Sequence, residues 1–265
     1  MNLRINCTGA NSIDRIRMTD KCGVRTNEMW ADDKEQANWW GVWSGLSHCG
    51  QCHALSKSLM CPQCGFEPEP HSLRTETFDG VTRDVPRYIT QGAISWSTNV
   101  LLQLMKREWA RPGIELDYFS HRPPEKQPSQ RMMIVILFWT LFEHLMDRFF
   151  DAATASLPEG VGRDLLRRYA SIGSRMDRLY SLLFETSLQE DLTALGHGSV
   201  YRHLMHVQRR RNEFVHGNAE AIDDQLVYET VEKLHEVQEA WVALYNKRCT
   251  GKANAPPVWK GSSPF

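Results

Sequence analysis

The sequence lacks an excess of charge of either sign. Lys and Arg number 31 against 32 Asp and Glu, a net charge of -1. That excludes the broad basic surface of a dedicated duplex-binding protein, because phosphate neutralisation supplies much of such a protein's affinity. Any nucleic-acid surface must be a local patch, balanced by acidic residues elsewhere. Long hydrophobic runs are also missing. The most apolar stretch, Met132 to Phe142, is about half the length needed to cross a bilayer, so no membrane is expected as a partner. Met1 to Ala10 has no apolar core, and no secretory signal peptide is expected there. Outside the cysteine-containing region no run alternates clearly between apolar and polar residues, and there is no internal repeat.

What is present reads as a soluble, globular chain. Its 265 residues are 42% hydrophobic and 24% charged, enough for one large domain or two ordinary ones. Seven cysteines is an odd number, and four of them form two Cys-x2-Cys pairs. Disulfide frameworks rarely take this form, whereas zinc sites do. A reducing, cytoplasmic setting fits.

The four-cysteine segment runs Cys49-Gly50-Gln51-Cys52, then Cys61-Pro62-Gln63-Cys64-Gly65. Zinc takes a tetrahedron of thiolates, and each Cys-x2-Cys knuckle supplies two from one tight turn. Gly50, Gly65 and Pro62 are residues that such turns use. The segment resembles a zinc ribbon, with Cys49, Cys52, Cys61 and Cys64 as ligands of a structural zinc ion. The ion's plain role is to fold a region too small to bury a core. A recognition role is the alternative, because Trp30, Trp39, Trp40 and Trp43 lie upstream and aromatic faces stack on unpaired bases. Packing of a small domain accounts for the same tryptophans. Cys7, Cys22 and Cys249 have no Cys-x2-Cys partner and read as free thiols. A second site joining Cys7 and Cys22 to His48, His53 or His71 is a weaker reading.

The composition changes near Glu67-Pro68-Glu69-Pro70, which places a domain boundary there. The expected layout is a ribbon-like N-terminal domain over 1–70, a helical domain over 71–249 and a tail over 250–265. Residues 71–92 read as irregular. Helices are predicted from about Ile94 to Trp109 and from about Gln130 to Phe150. The second is apolar nearly all round at its start, as a central helix or a subunit contact would be. Leu165, Tyr169, Ile172, Met176, Leu179 and Leu183 repeat at helical spacing. Val200, Leu204, Val207 and Phe214 form a fourth stripe. Val227, Val231, Leu234, Trp241 and Tyr245 form a fifth, behind Asp223-Asp224 at a helix start. The fold class is mainly α.

Arg211 falls where the fourth stripe expects an apolar residue, and Glu143 does the same on the stripe of Trp139, Met146 and Phe150. Charges at such positions need partners, and an Arg211–Glu143 pair between two helices would satisfy both. Arg209, Arg210 and Arg211 precede His216 with four to six residues between, a spacing that chance also produces. The plain reading is that Arg211 and His216 favour a helix C-terminus as cations. His197, His203 and His206 read as structural or surface histidines.

Arg211-Asn212-x3-His216 followed by Gly217, at a helix end and ahead of another long helix, resembles the Arg-x4–6-His signature of the HEPN superfamily. Asn212 fills the usual polar place after the arginine, and Glu143 matches an acidic residue common in an early helix of the family. The resemblance covers roughly residues 93–248, and its specific part is that one short motif. It implies a HEPN-like helical bundle that dimerises and, in many members, a metal-independent ribonuclease acting in phage defence or toxin systems. Arg211, His216, Asn212 and Glu143 would then be catalytic, Arg209 and Arg210 would contact RNA, and a regulatory protein could engage the ribbon. Cleavage through the 2′-hydroxyl needs a proton acceptor, a proton donor and positive charge at the phosphorus. One motif has one histidine, and a two-fold dimer would supply two. Arg211 and His216 stand about 140° apart on an ideal helix, so convergence requires the helix to end near His216, as Gly217 predicts. The rival reading is a non-catalytic RNA-binding or assembly protein. A sequence-specific DNA regulator is disfavoured, since there is no helix-turn-helix and one ribbon makes a thin footprint.

Overall fold

The computed structural model describes residues 46–70, 72–78, 80–87, 91–92, 95–113, 121–122 and 127–250. The tryptophan cluster, Cys7, Cys22, His71 and all of the tail beyond Thr250 lie outside them. The mainly α reading holds. No described helix is long and apolar enough to cross a membrane.

The described residues begin with two short strands, β1 (Ser47–His48) and β2 (Leu55–Ser56), which bracket the first cysteine knuckle and pair antiparallel. Residues 71–92, expected to be irregular, instead hold β3 (Ser72–Phe78), β4 (Val81–Arg87) and β5 (Gln91–Gly92). Strand β5 pairs with the other side of β1, giving the order β2-β1-β5. The ribbon's sheet is therefore closed by residues beyond the composition change at 67–70. Strands β3 and β4 form a separate two-stranded hairpin joined by Asp79 and Gly80. Gly80 has φ +77°, a backbone region that glycine enters without a Cβ penalty. Asp-Gly between two strands is a strong hairpin signal. In its flanks Arg74, Glu76 and Arg83 alternate with Thr75, Thr77 and Thr82, so polar residues fall on both faces and hydrophobic alternation gives no sign of the strands.

Helix α1 (Trp96–Ala110) starts at Ser95, whose hydroxyl accepts from the Thr98 N–H at 3.0 Å. It buries Leu102, Met105 and Trp109. Helix α2 (Met133–Thr154) is buried on nearly every side and packs against most of the other long helices, so it is the central helix. The predicted third segment is broken. Helix α3 (Glu159–Arg168) is followed, after Tyr169–Ser171, by α4 (Ile172–Ser174), a π turn (Arg175–Leu179) and α5 (Tyr180–Phe184). At the break Arg175 donates to the carbonyls of Tyr169 (2.8 Å) and Leu166 (3.2 Å) and pairs with Asp147. Helix α6 (Leu188–Ala194) begins in a Ser187/Glu190 capping box, a Ser-x-x-Glu signature.

Helix α7 (Gly198–Val215) buries Val200, Leu204 and Val207, with Phe214 packed against the core. The fifth predicted segment is two helices, α8 (Asp224–Glu232) and α9 (Leu234–Cys249), separated at Lys233. Asp223 caps α8 by accepting from the Leu226 N–H at 2.8 Å, as acidic residues at that place predict. In α9, Trp241 donates its indole N–H to the Leu145 carbonyl of α2 at 3.0 Å.

Candidate functional site

The four cysteines come together. Their sulfur atoms all lie within 4.8 Å of one another, with Cys49–Cys64 at 3.5 Å and Cys52–Cys61 at 3.6 Å. A tetrahedral thiolate site with metal–sulfur bonds of about 2.3 Å has edges of about 3.8 Å, so the cluster is positioned to hold a metal ion. The two knuckles repeat one backbone pattern. The Cys49 N–H donates to the Ala54 carbonyl and the Cys61 N–H to that of Phe66, both at 2.8 Å. Four residues after each first cysteine the chain turns through positive φ, +62° at His53 and +73° at Gly65. A Cβ on Gly50 would lie 3.2 Å from the Phe66 ring, so glycine there lets one knuckle approach the other. The N–H groups of Gln51 and Cys52 point at the Cys49 sulfur at 3.4 and 3.5 Å. Burial pushes the Cys49 thiol up, but these donors outweigh it and bring it down to about 7, while burial pushes Cys52 up to about 12. A cation at the centre is what permits four thiolates to coexist.

The cluster sits on the bundle rather than beside it. Leu55 of β2 is buried, and its N–H and carbonyl both bond to the Asn246 side chain of α9. His48 meets the Tyr245 ring edge-on at 5.8 Å. Cys249 is buried and its thiol faces the Phe149 carbonyl.

At the other candidate region α7 ends as predicted. His216 is its C-cap, and Gly217 follows with φ +102°. The Gly217 N–H reaches the Phe214 carbonyl and the Asn218 N–H that of Glu213, both at 3.0 Å, a Schellman closure. His216 is exposed there. It lines an open surface depression with Met205, Gln208, Arg209, Asn212 and Glu213. Arg209 donates toward His206 at 3.2 Å.

Arg211 is half-buried and is not among the lining residues. Its Nη1 bonds to Asn212 Oδ1 at 3.1 Å, and its buried Nε has no hydrogen-bond partner. Glu143 accepts instead from the Trp139 indole at 2.7 Å. The expected Arg211–Glu143 pair is absent among the described residues: each charge finds a partner on its own helix. Arg210 is engaged by Glu213 (3.1 Å), the Glu220 carbonyl (3.4 Å) and Asp223 (3.9 Å), which tie the end of α7 to the following turn (Ala219–Ala221). His197 is the N-cap of α7, and His203 is buried within it.

One polar cluster has no sequence signature. Asp191 of α6 is 4% exposed, and it accepts from Tyr180, from Lys247 at 2.9 Å and from Arg248 at 2.5 and 2.7 Å. Burial pushes its carboxyl up, yet the hydrogen bonds from Arg248, Tyr180 and Lys247 prevail and hold it at about 2. Arg248 also lies over the Phe184 ring at 5.1 Å. The cluster fastens α5, α6 and α9 together.

Comparison with protein-family models, with curated proteins and with solved structures finds no match for the chain.

Proposed function

We propose that the protein is a metal-independent endoribonuclease, acting as a homodimer, in which a structural zinc ion on Cys49, Cys52, Cys61 and Cys64 folds the ribbon. The observation that carries this reading is the end of α7. His216 is exposed at the Schellman closure, in one depression with Asn212 and Arg209, while Arg211 hydrogen-bonds Asn212. A neutral imidazole there takes the proton of an RNA 2′-hydroxyl as that oxygen attacks the adjacent phosphorus and the bond to the 5′-oxygen breaks. The same residue of a second copy returns a proton to the leaving oxygen, and Arg209 and Arg211 balance charge at the phosphorus. Asn212 orients the phosphate through its amide. Glu143, which accepts from the Trp139 indole, is the acidic residue that the HEPN resemblance adds to the site. The ribbon selects RNA or holds a regulatory protein, in a phage-defence or toxin setting.

The test is cleavage of total cellular RNA by wild type and by His216→Ala, matched for folding and zinc content. Fragments ending in 2′,3′-cyclic phosphate from wild type alone are expected. Equal cleavage by both proteins, or by neither, overturns the assignment. A second reading, RNA binding or assembly without cleavage, draws on the separation of Arg211 from the depression that His216 lines.

A further inference from the structure

We infer that the outer edge of β3 is an interaction surface that pairs, antiparallel and about a two-fold axis at Thr75, with β3 of a second copy of this chain. The hairpin itself sets the argument. Its register runs from Ser72↔Arg87 to Phe78↔Val81 across a two-residue connection. Such a connection makes Phe78↔Val81 a hydrogen-bonded pair. Alternation then gives the Ser72, Arg74 and Glu76 backbone groups to β4 and turns those of Leu73, Thr75 and Thr77 outward. Side-chain bonds agree with this parity. Thr75 reaches Asp84 at 2.8 Å and Thr77 reaches Thr82 at 3.0 Å, across the non-hydrogen-bonded pairs where strands lie closest. Among the described residues, no strand joins β3 on that outer side.

Natural edges of this length are usually blunted by proline, a bulge or a covering element. Strand β4 has such a device: Pro86 falls at an outward position and offers no donor. Among the described residues β3 has none, and its outward residues are exposed, with Leu73 at 65%. A two-stranded hairpin is marginal by itself and gains from further strands.

The occupant follows from the sequence of the edge. With Thr75 facing Thr75 of the second copy, Leu73 faces Thr77 through outward-pointing N–H and carbonyl groups on both chains, so the ladders match. Arg74 then stands opposite Glu76 of the second copy, twice by symmetry, at the closely spaced positions where charge complementarity counts most. The product is a four-stranded sheet, β4-β3-β3-β4, closed by an isologous contact. It does not rest on the assignment made to α7.

The test is the dissociation constant of the full-length zinc-loaded chain by sedimentation, for wild type, Arg74→Glu, Glu76→Lys and an equimolar mixture of the two variants. Each variant alone sets like charges across the two-fold axis, whereas their mixture restores two opposite pairs. Wild type is expected to dimerise in the micromolar range, each variant to bind itself at least about tenfold more weakly, and the mixture to recover a heterodimer. A monomeric wild type, or variants that self-associate as wild type does, overturns the proposal. Amide exchange on wild type needs no variant. Dilution should expose the Leu73, Thr75 and Thr77 amides while those of Arg74 and Glu76 stay protected, and equal behaviour of the two sets also overturns it.

Discussion

Asn246 and Leu55, 191 positions apart in the chain, pair in both directions: the Leu55 N–H donates to Asn246 Oδ1 at 2.7 Å, and Asn246 Nδ2 donates to the Leu55 carbonyl at 2.9 Å. The side-chain amide acts as one more peptide unit on the edge of β2, so α9 completes the ribbon's small sheet. Leu55 is 1% exposed, and water cannot replace either bond.

Asn246→Leu therefore leaves a buried donor and a buried acceptor unsatisfied. A loss of about 2–4 kcal/mol is expected, seen as a lower thermal midpoint and earlier proteolysis between residues 56 and 95, with the metal retained. Unchanged protease sensitivity would show that other contacts dock the ribbon.

The knuckles make opposite predictions at equivalent positions. Gly65→Ala places a Cβ at φ +73° and should cost about 1–2 kcal/mol. His53→Gly relaxes the matching turn at φ +62° and should be neutral or slightly stabilising, since the strain relieved offsets the added unfolded-state entropy. Metal analysis should give one zinc per chain, retained in Gly65→Ala and His53→Gly and lost in Cys61→Ser, whose thermal midpoint should fall the furthest. Equal metal content in Cys61→Ser and wild type would remove the four-thiolate site.

Asp191 sets an acid limit. Its folded carboxyl lies at about 2 against an ordinary 3.8, so the group stabilises the fold above pH ~4 and loses that contribution as pH falls toward 2, about 2 kcal/mol in all. Asp191→Asn should destabilise at neutral pH by about 3 kcal/mol, because Arg248 and Lys247 keep their charges without the carboxylate. Denaturant titrations at pH 7, 4 and 2.5 should show the variant losing less than wild type between the last two. Parallel curves would assign the acid limit elsewhere.

His203 acts at milder pH. Burial lowers its imidazole to about 4, with Lys233 and His206 pushing the same way against Glu229 and Glu236. Its Nε2 is buried without a hydrogen-bond partner, and the ring meets Phe138 edge-on at 6.1 Å. The unfolded chain thus takes up the proton first, and stability falls as pH drops from about 6.5 to about 4. His203→Leu should change stability little at pH 7 and remove about 2–3 kcal/mol of the loss at pH 4. An unaltered pH slope would show that His203 is not its source.

Local chemistry was legible in the sequence wherever it acts over a few residues. Two Cys-x2-Cys pairs specified the thiolate cluster, Gly217 specified the end of α7, Asp223 specified a helix start, and the apolar surround of Met132 to Phe142 specified the central helix. The β3–β4 hairpin was only half legible: Asp79-Gly80 is a turn signal, yet polar residues on both faces erase the alternation that marks strands. Partner choice belonged to the tertiary structure. Arg211 and Glu143 look like a pair in the sequence, but Asn212 and Trp139 lie within reach on their own helices, and a charge takes the nearest partner its rotamers allow. Asp191 meets Lys247 and Arg248, and Asn246 meets Leu55, because helix packing sets which distant side chains share a buried space. Spacing along the chain carries no information about that.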